Sequence, residues 1–147
     1  MRTARITGFA ALGLCLALLA EAPDAWAAQA GLSGYQGAWV LEGRDCADVY
    51  ASDGKAMAFK KPVDIFAPAF IVSGRRLRTP MASCQIKSLR PAGERELLLL
   101  DCANAVAGSE VKVLMAPSPK GELRRYYSDQ DPTGVIYQRC SQSAAGR

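Results

Sequence analysis

Residues 84–102 read CQIKSLRPAGERELLLLDC, a segment with a cysteine at each end and the turn signal Pro91-Ala92-Gly93 near its middle. The second half is ambiguous in isolation. Leu, Ala and Glu favour helix, and an unbroken leucine run has no period that separates a buried strand from a buried helix. The first half decides the matter. If residues 83–89 pair antiparallel with residues 96–102 around Gly93, Ser88 faces Leu98, Ile86 faces Leu100 and Cys84 faces Cys102. Facing Cα atoms in an antiparallel pair lie about 4.5–5.5 Å apart, within the reach of a disulfide. Such a staple fixes the register, because a slip of one residue would turn Cys84 and Ile86 to the opposite face. On the chain-entropy account, closing this loop contributes about 3 kcal/mol.

Outward from this hairpin, short β-like segments recur every ten residues or so, at 38–42, 46–50, 56–60, 63–66, 70–73, 76–79, 110–115, 123–127 and 135–140. Gly43, Asp53-Gly54, Pro62, Pro68, Gly74, Pro80, Gly108, Pro117, Gly121 and Asp131-Pro132-Thr133-Gly134 break them. Short strands with Gly and Pro punctuation indicate an all-β fold rather than alternating βα units. The expectation is a single small antiparallel up-and-down β-barrel, or a sandwich, of about eight to ten strands with two disulfides. Its domain would run over residues 37–141, with 142–147 as a disordered tail.

The start of the chain points to export. Arg2 and Arg5 precede an apolar run at residues 6–20, followed by the small-residue site Ala25-Trp26-Ala27. A positive start, a short apolar stretch and an A-x-A end are the parts of a signal peptide, and the run is shorter than the roughly 20 residues that span a bilayer. The reading assigns residues 1–27 to the leader, places the mature protein in the periplasm or outside the cell, and expects no membrane span. Cys15 would leave with the leader. The remaining 120 of 147 residues suit one domain. Arg2, Arg5, Glu21 and Asp24 cancel within the leader, so the mature chain keeps the formal net charge of +4. That is mildly basic and does not call for a nucleic-acid partner.

Four cysteines then remain, Cys46, Cys84, Cys102 and Cys140, an even number in an exported chain. Pairing Cys84 with Cys102 leaves Cys46 with Cys140, which would join the start of the domain to its last strand and sew a barrel's closing seam. An internal echo favours another connectivity. DCADVYAS at 45–52 and DCANAVAG at 101–108 share Asp, Cys and two Ala, and a duplication would pair Cys46 with Cys84 and Cys102 with Cys140.

Catalytic signals are weak. The chain has no histidine and no C-x-x-C, which removes His-based triads and the common zinc sites, and no metal or other cofactor is implied. Ser52 and Lys55 fit S-x-x-K, but Asp53-Gly54 between them reads as a turn. Asp129 and Asp131 read as turn caps. Arg75, Arg76 and Arg78, with Arg124-Arg125-Tyr126-Tyr127, could form a basic and aromatic surface for an acidic partner; otherwise they are solvated strand faces. Trp39, the only tryptophan after the leader, follows Gly37 and precedes Val40-Leu41, as a buried first strand plugging one barrel end would.

The stretch Leu32-Ser33-Gly34-Tyr35-Gln36-Gly37-Ala38-Trp39-Val40-Leu41, with Cys46 close behind, resembles the opening of the calycin barrels, and above all of the bacterial inhibitors of serralysin-type alkaline metalloproteases. The resemblance implies a small exported barrel with a G-x-W-x-L start and an N-terminal arm that enters a peptidase cleft. That arm would be Ala28, Gln29, Ala30, Gly31, Leu32, Ser33 and Gly34. It also implies a basic residue of the last strand over the tryptophan, for which Arg139 is the candidate. The function expected from the sequence is therefore binding without catalysis. The leading partner is a protein, an exported peptidase; the alternatives are a small apolar ligand carried inside the barrel, or an envelope component held by the arginine-rich surface.

Overall fold

The computed structural model describes residues 31–146. Ten strands form in chain order: β1 (Gly37–Leu41), β2 (Tyr50–Ser52), β3 (Met57–Phe59), β4 (Ala69–Ser73), β5 (Arg76–Arg78), β6 (Ser83–Ala92), β7 (Arg95–Ala103), β8 (Gly108–Pro117), β9 (Leu123–Tyr126) and β10 (Val135–Cys140). Eight of them close an antiparallel barrel in the order β1-β10-β9-β8-β7-β6-β5-β4, with β1 completing the circle by pairing with both β10 and β4. The remaining two, β2 and β3, form a separate ribbon.

The hairpin β6–β7 carries the expected pairs Cys84 with Cys102 and Ile86 with Leu100. Beyond them the register moves by one. A bulge between Ile86 and Ser88 sets Leu89, not Ser88, against Leu98. The extra residue brings Leu89 onto the core, while Ser88, now opposite Leu99, keeps its hydroxyl shut off from water without a hydrogen-bond partner. The strands then meet at a two-residue turn, Gly93-Glu94, where Gly93 adopts φ 66°, the left-handed conformation that a tight hairpin demands at this position.

Both disulfides form as the hairpin reading expects, Cys84–Cys102 with Cα atoms 3.9 Å apart and Cys46–Cys140 with Cα atoms 5.7 Å apart, which excludes the pairing suggested by the internal echo. Two disulfides are those of a chain that folds outside a reducing cytoplasm. Among the described residues no helix is long and apolar enough to cross a membrane.

Three stretches depart from the sequence reading. Residues 46–50 are not one strand: Asp45 accepts a hydrogen bond from the Ala47 amide and caps a single helical turn, α1 (Cys46–Val49), before β2 begins. Cys140 is therefore tied to α1 and not to a strand across the closing seam. Residues 63–66 are β-branched in part but have no neighbouring strand to pair with. Asp64 instead accepts from the Phe66 amide, and Phe66 is 81% exposed. Residues 142–147 were expected to trail freely, yet Gln142–Ala144 form a 3-10 turn and Gly146 bridges Ala51, exchanging backbone hydrogen bonds with Tyr50 and Ser52.

The core has two parts. Leu32, Tyr35, Trp39, Phe70, Val72, Leu77, Cys84, Ile86, Leu98, Leu100, Met115, Leu123 and Tyr137 fill the barrel. A second cluster lies outside the wall, where Ala38, Val40, Ala69, Ile71 and Cys140 are covered by Cys46 and Tyr50 from α1 and β2. Strands β1 and β4 are thus buried on both faces, and the Cys46–Cys140 bridge fastens the outer layer to β10. The Tyr50 hydroxyl sits between the backbone oxygens of Trp39 and Phe70, donating to Trp39 at 2.6 Å with Phe70 O at 3.0 Å. Burial holds this phenol well above its ordinary pKa.

Candidate functional site

The barrel has one closed and one open end, and the order of the strands says which is which. The start of β1, the β4–β5, β6–β7 and β8–β9 turns, and the end of β10 share the closed end. There a 3-10 turn, Ser33–Tyr35, folds across the barrel. Leu32 and Tyr35 are fully buried beneath it, the Tyr35 hydroxyl donates to the Glu96 carboxylate, and the Trp39 indole N–H donates to Tyr35 O at 2.7 Å. Burial first, and then the hydrogen bond to Glu96 and its charge, raise the Tyr35 pKa far above the usual phenol value. Arg139 covers this plug from outside. Its Cζ lies 4.6 Å from the centre of the Trp39 ring, and its guanidinium donates to Gly34 O at 3.3 Å. Gly37 adopts φ 120°, a conformation that side-chain-bearing residues rarely take, and a Cβ there would meet the Arg139 stem only at an ordinary 3.8 Å.

This places part of the expected arm inside the fold. Leu32 is a core residue, and Gly34 is held by Arg139, so the stretch from Gly31 to Gly34 is the lid of the closed end rather than a free arm. The physical cause is elementary: a leucine and a tyrosine beside an open barrel end gain more from burial than from water. Ala28, Gln29 and Ala30 lie outside the described residues, as does the leader expected at residues 1–27.

The open end is ringed by the loops that follow β1, β3, β5, β7 and β9. Between its walls lies a cavity of about 270 Å³, lined by Phe70, Leu77, Leu100, Val111, Val113, Met115 and the Cys84–Cys102 disulfide, with Thr79, Asn104 and Ser109 at the rim. Phe70 is its floor, stacked on Trp39 at 6.4 Å between ring centres and tilted against Tyr137 at 5.1 Å. The staple that fixes the hairpin register is thus also a wall of the cavity. Among the described residues, the large apolar side chains left in water, Val63, Ile65, Phe66, Met81, Val106 and Tyr127, all sit on connections at this same end. Asn104 braces one of these loops by accepting from the Val106 and Ala107 amides, which leaves Val106 93% exposed.

One cation enters the cavity. On β9, Leu123 points into the core, and the two-residue period turns Arg125 to the same face, opposite Met115 of β8 and Val135 of β10. Its Nε is buried without a hydrogen-bond partner, and its Cζ lies 5.0 Å from the Tyr127 ring. The expected arginine surface is accordingly not assembled. Arg76 and Arg78 face solvent on β5, which lies across the barrel from β9, while Arg75 donates to Ile86 O and Lys87 O, and Arg124 to Thr133 O. Nor do Ser52 and Lys55 form a nucleophile pair. Ser52 accepts from the Gly54 amide, Asp53 accepts from the Lys55 and Ala56 amides, and Gly54 sits at φ 83°, so the motif is a turn. Asp131 likewise caps the β9–β10 loop, accepting from Tyr127, Thr133 and Gly134, and these hydrogen bonds hold its carboxyl below the usual range. Among the described residues no cluster of His, Cys, Asp and Glu could hold a metal.

Comparison with protein families, with characterised proteins and with solved structures finds no match for this chain. The reading of the site therefore rests on its own geometry.

Proposed function

We propose that the protein is an exported, non-catalytic binding barrel, periplasmic or secreted, that holds a small apolar molecule in its open half. The observation that carries this reading is the cavity of about 270 Å³, walled by aliphatic side chains and a disulfide and open at the end opposite the plug. Ligand sites are concave and mostly apolar with a few polar groups, and drug-sized ligands take about 300–1,000 Å³, so this one suits a slender or small molecule. The exposed apolar residues on the surrounding loops supply a low-polarity entrance. The test is titration of the mature protein with N-phenyl-1-naphthylamine, a neutral dye that brightens in apolar surroundings. Binding with one site per chain is expected, and Val111→Trp, which fills the cavity, should abolish it while circular dichroism is unchanged. Dye binding that persists in the filled variant overturns the reading.

A second reading is favoured by the closed end. Leu32, next to Gly31, is buried in the core and Arg139 holds Gly34, and a cleft-entering arm of the kind implied by the resemblance to peptidase inhibitors would need such a base. The arm would then be Ala28, Gln29 and Ala30, ahead of the lid. Deleting those three residues leaves Leu32 in the core, whereas deletion through Gly34 would also open the barrel. Loss of inhibition of a serralysin-type peptidase on the short deletion, with Val111→Trp still inhibitory, would assign the activity to the closed end.

A further inference from the structure

Apart from Thr79, Asn104 and Ser109 at the rim, Arg125 is the polar side chain of an otherwise apolar cavity lining. Its Nε is shut off from water and has no acceptor. Among the described residues no carboxylate pairs with it, and its one recorded neighbour of suitable chemistry is the ring face of Tyr127. Arg125 as a whole is half-buried, and a guanidinium drawn partly out of water without counter-charge or full hydrogen bonding is disfavoured; an anion that comes to it would supply both. We infer that the molecule held in the open half is a single-chain amphiphile whose carboxylate is received by Arg125.

The geometry sets the pose. A guanidinium presents a planar fork of N–H donors that matches a carboxylate with two parallel hydrogen bonds, and it is more weakly hydrated than an ammonium, so it suits a partly dry site. Arg125 stands on β9, and β5 lies on the opposite side of the barrel with β6 beside it and β7 next after β6. A head group on Arg125, under the Tyr127 ring, would send its chain across the cavity toward Leu77, Leu100 and the Cys84–Cys102 bridge. A volume near the lower limit for ligand sites favours one chain of medium length over a two-chain lipid.

This inference rests on the cavity reading above, and the experiment separates the two. Decanoate and 1-decanol have the same chain, and only one carries the charge. Both would be titrated calorimetrically into the delipidated mature protein, into Arg125→Met and into Arg125→Lys. The wild type is expected to bind decanoate about tenfold to a hundredfold more tightly than decanol, the range for a hydrogen bond to a charged group. Arg125→Met should lose that preference and keep its affinity for decanol, and Arg125→Lys, with charge but no fork, should fall between. Equal affinity of the wild type for the two compounds, or undiminished decanoate binding by Arg125→Met, overturns the role of Arg125 and leaves the cavity standing. Binding of neither compound to the wild type overturns the cavity reading and the inference together.

Discussion

Removing each disulfide in turn should reveal where the stability of the barrel comes from. The bridges differ mainly in the length of chain they close, 94 residues for Cys46–Cys140 and 18 for Cys84–Cys102. On the chain-entropy model these loops correspond to about 4.7 and about 3.2 kcal/mol, so Cys46→Ala/Cys140→Ala should be the weaker protein by about 1.5 kcal/mol. The packing loss nearly cancels in the comparison, because Cys46, Cys84 and Cys140 are all buried and Cys102 is half-buried. The assay is urea unfolding of the mature chain followed by Trp39 fluorescence. Trp39 is the single tryptophan after residue 27 and is fully buried, so unfolding should shift its emission to the red. The slope of free energy on denaturant should also steepen more when the long loop is freed, because the unfolded chain then exposes more surface. The reasoning is refuted if loss of Cys84–Cys102 costs as much as or more than loss of Cys46–Cys140. In that event the bridges act through native contacts rather than through the unfolded chain.

Two further outcomes follow from single side chains. Tyr50→Phe removes a buried hydroxyl that sits between two backbone oxygens and should cost about 1–3 kcal/mol in the same unfolding assay. The Asp131 carboxyl is held below its unfolded value of 3.8 by the loop amides it caps, so it stabilises the fold above that pH and stops doing so as the pH falls through the lower folded value. Asp131→Asn should accordingly be less stable than the wild type near neutrality, with the gap closing below pH 4, as followed by thermal unfolding across pH.

Much of the fold was legible because two independent signals coincided in one segment. Alternation across Cys84, Ile86, Leu98, Leu100 and Cys102 and a glycine turn predict the hairpin, and the cysteines then fix its register. Where one signal stood alone, the reading failed. Ile65 and Phe66 have strand propensity but nothing to pair with, since propensity describes fit to a sheet that must already be there. Cys46 to Val49 became a helical turn because Asp45 was available as a cap, a cue present in the sequence and outweighed by the rhythm of strands around it. The plug tryptophan was readable from Gly37 and Trp39, but the burial of Leu32 was not, because a lone leucine before a turn carries no period. Arg125 was harder still. In Arg124-Arg125-Tyr126-Tyr127 every residue is polar or amphipathic, so nothing in the run marks which side chains face inward. That follows only from the parity set by Leu123, once β9 is known to be a strand.

The outer layer over β1, β4 and β10 makes the barrel mechanically lopsided. On that side a strand cannot part from its neighbour without also stripping α1 and β2 from its back and working against the Cys46–Cys140 tether. Around β6, β7 and β8 the wall is one strand thick, and its outer faces already meet water. Amide hydrogen exchange should therefore be slowest in β1 and β4 and faster along the far wall.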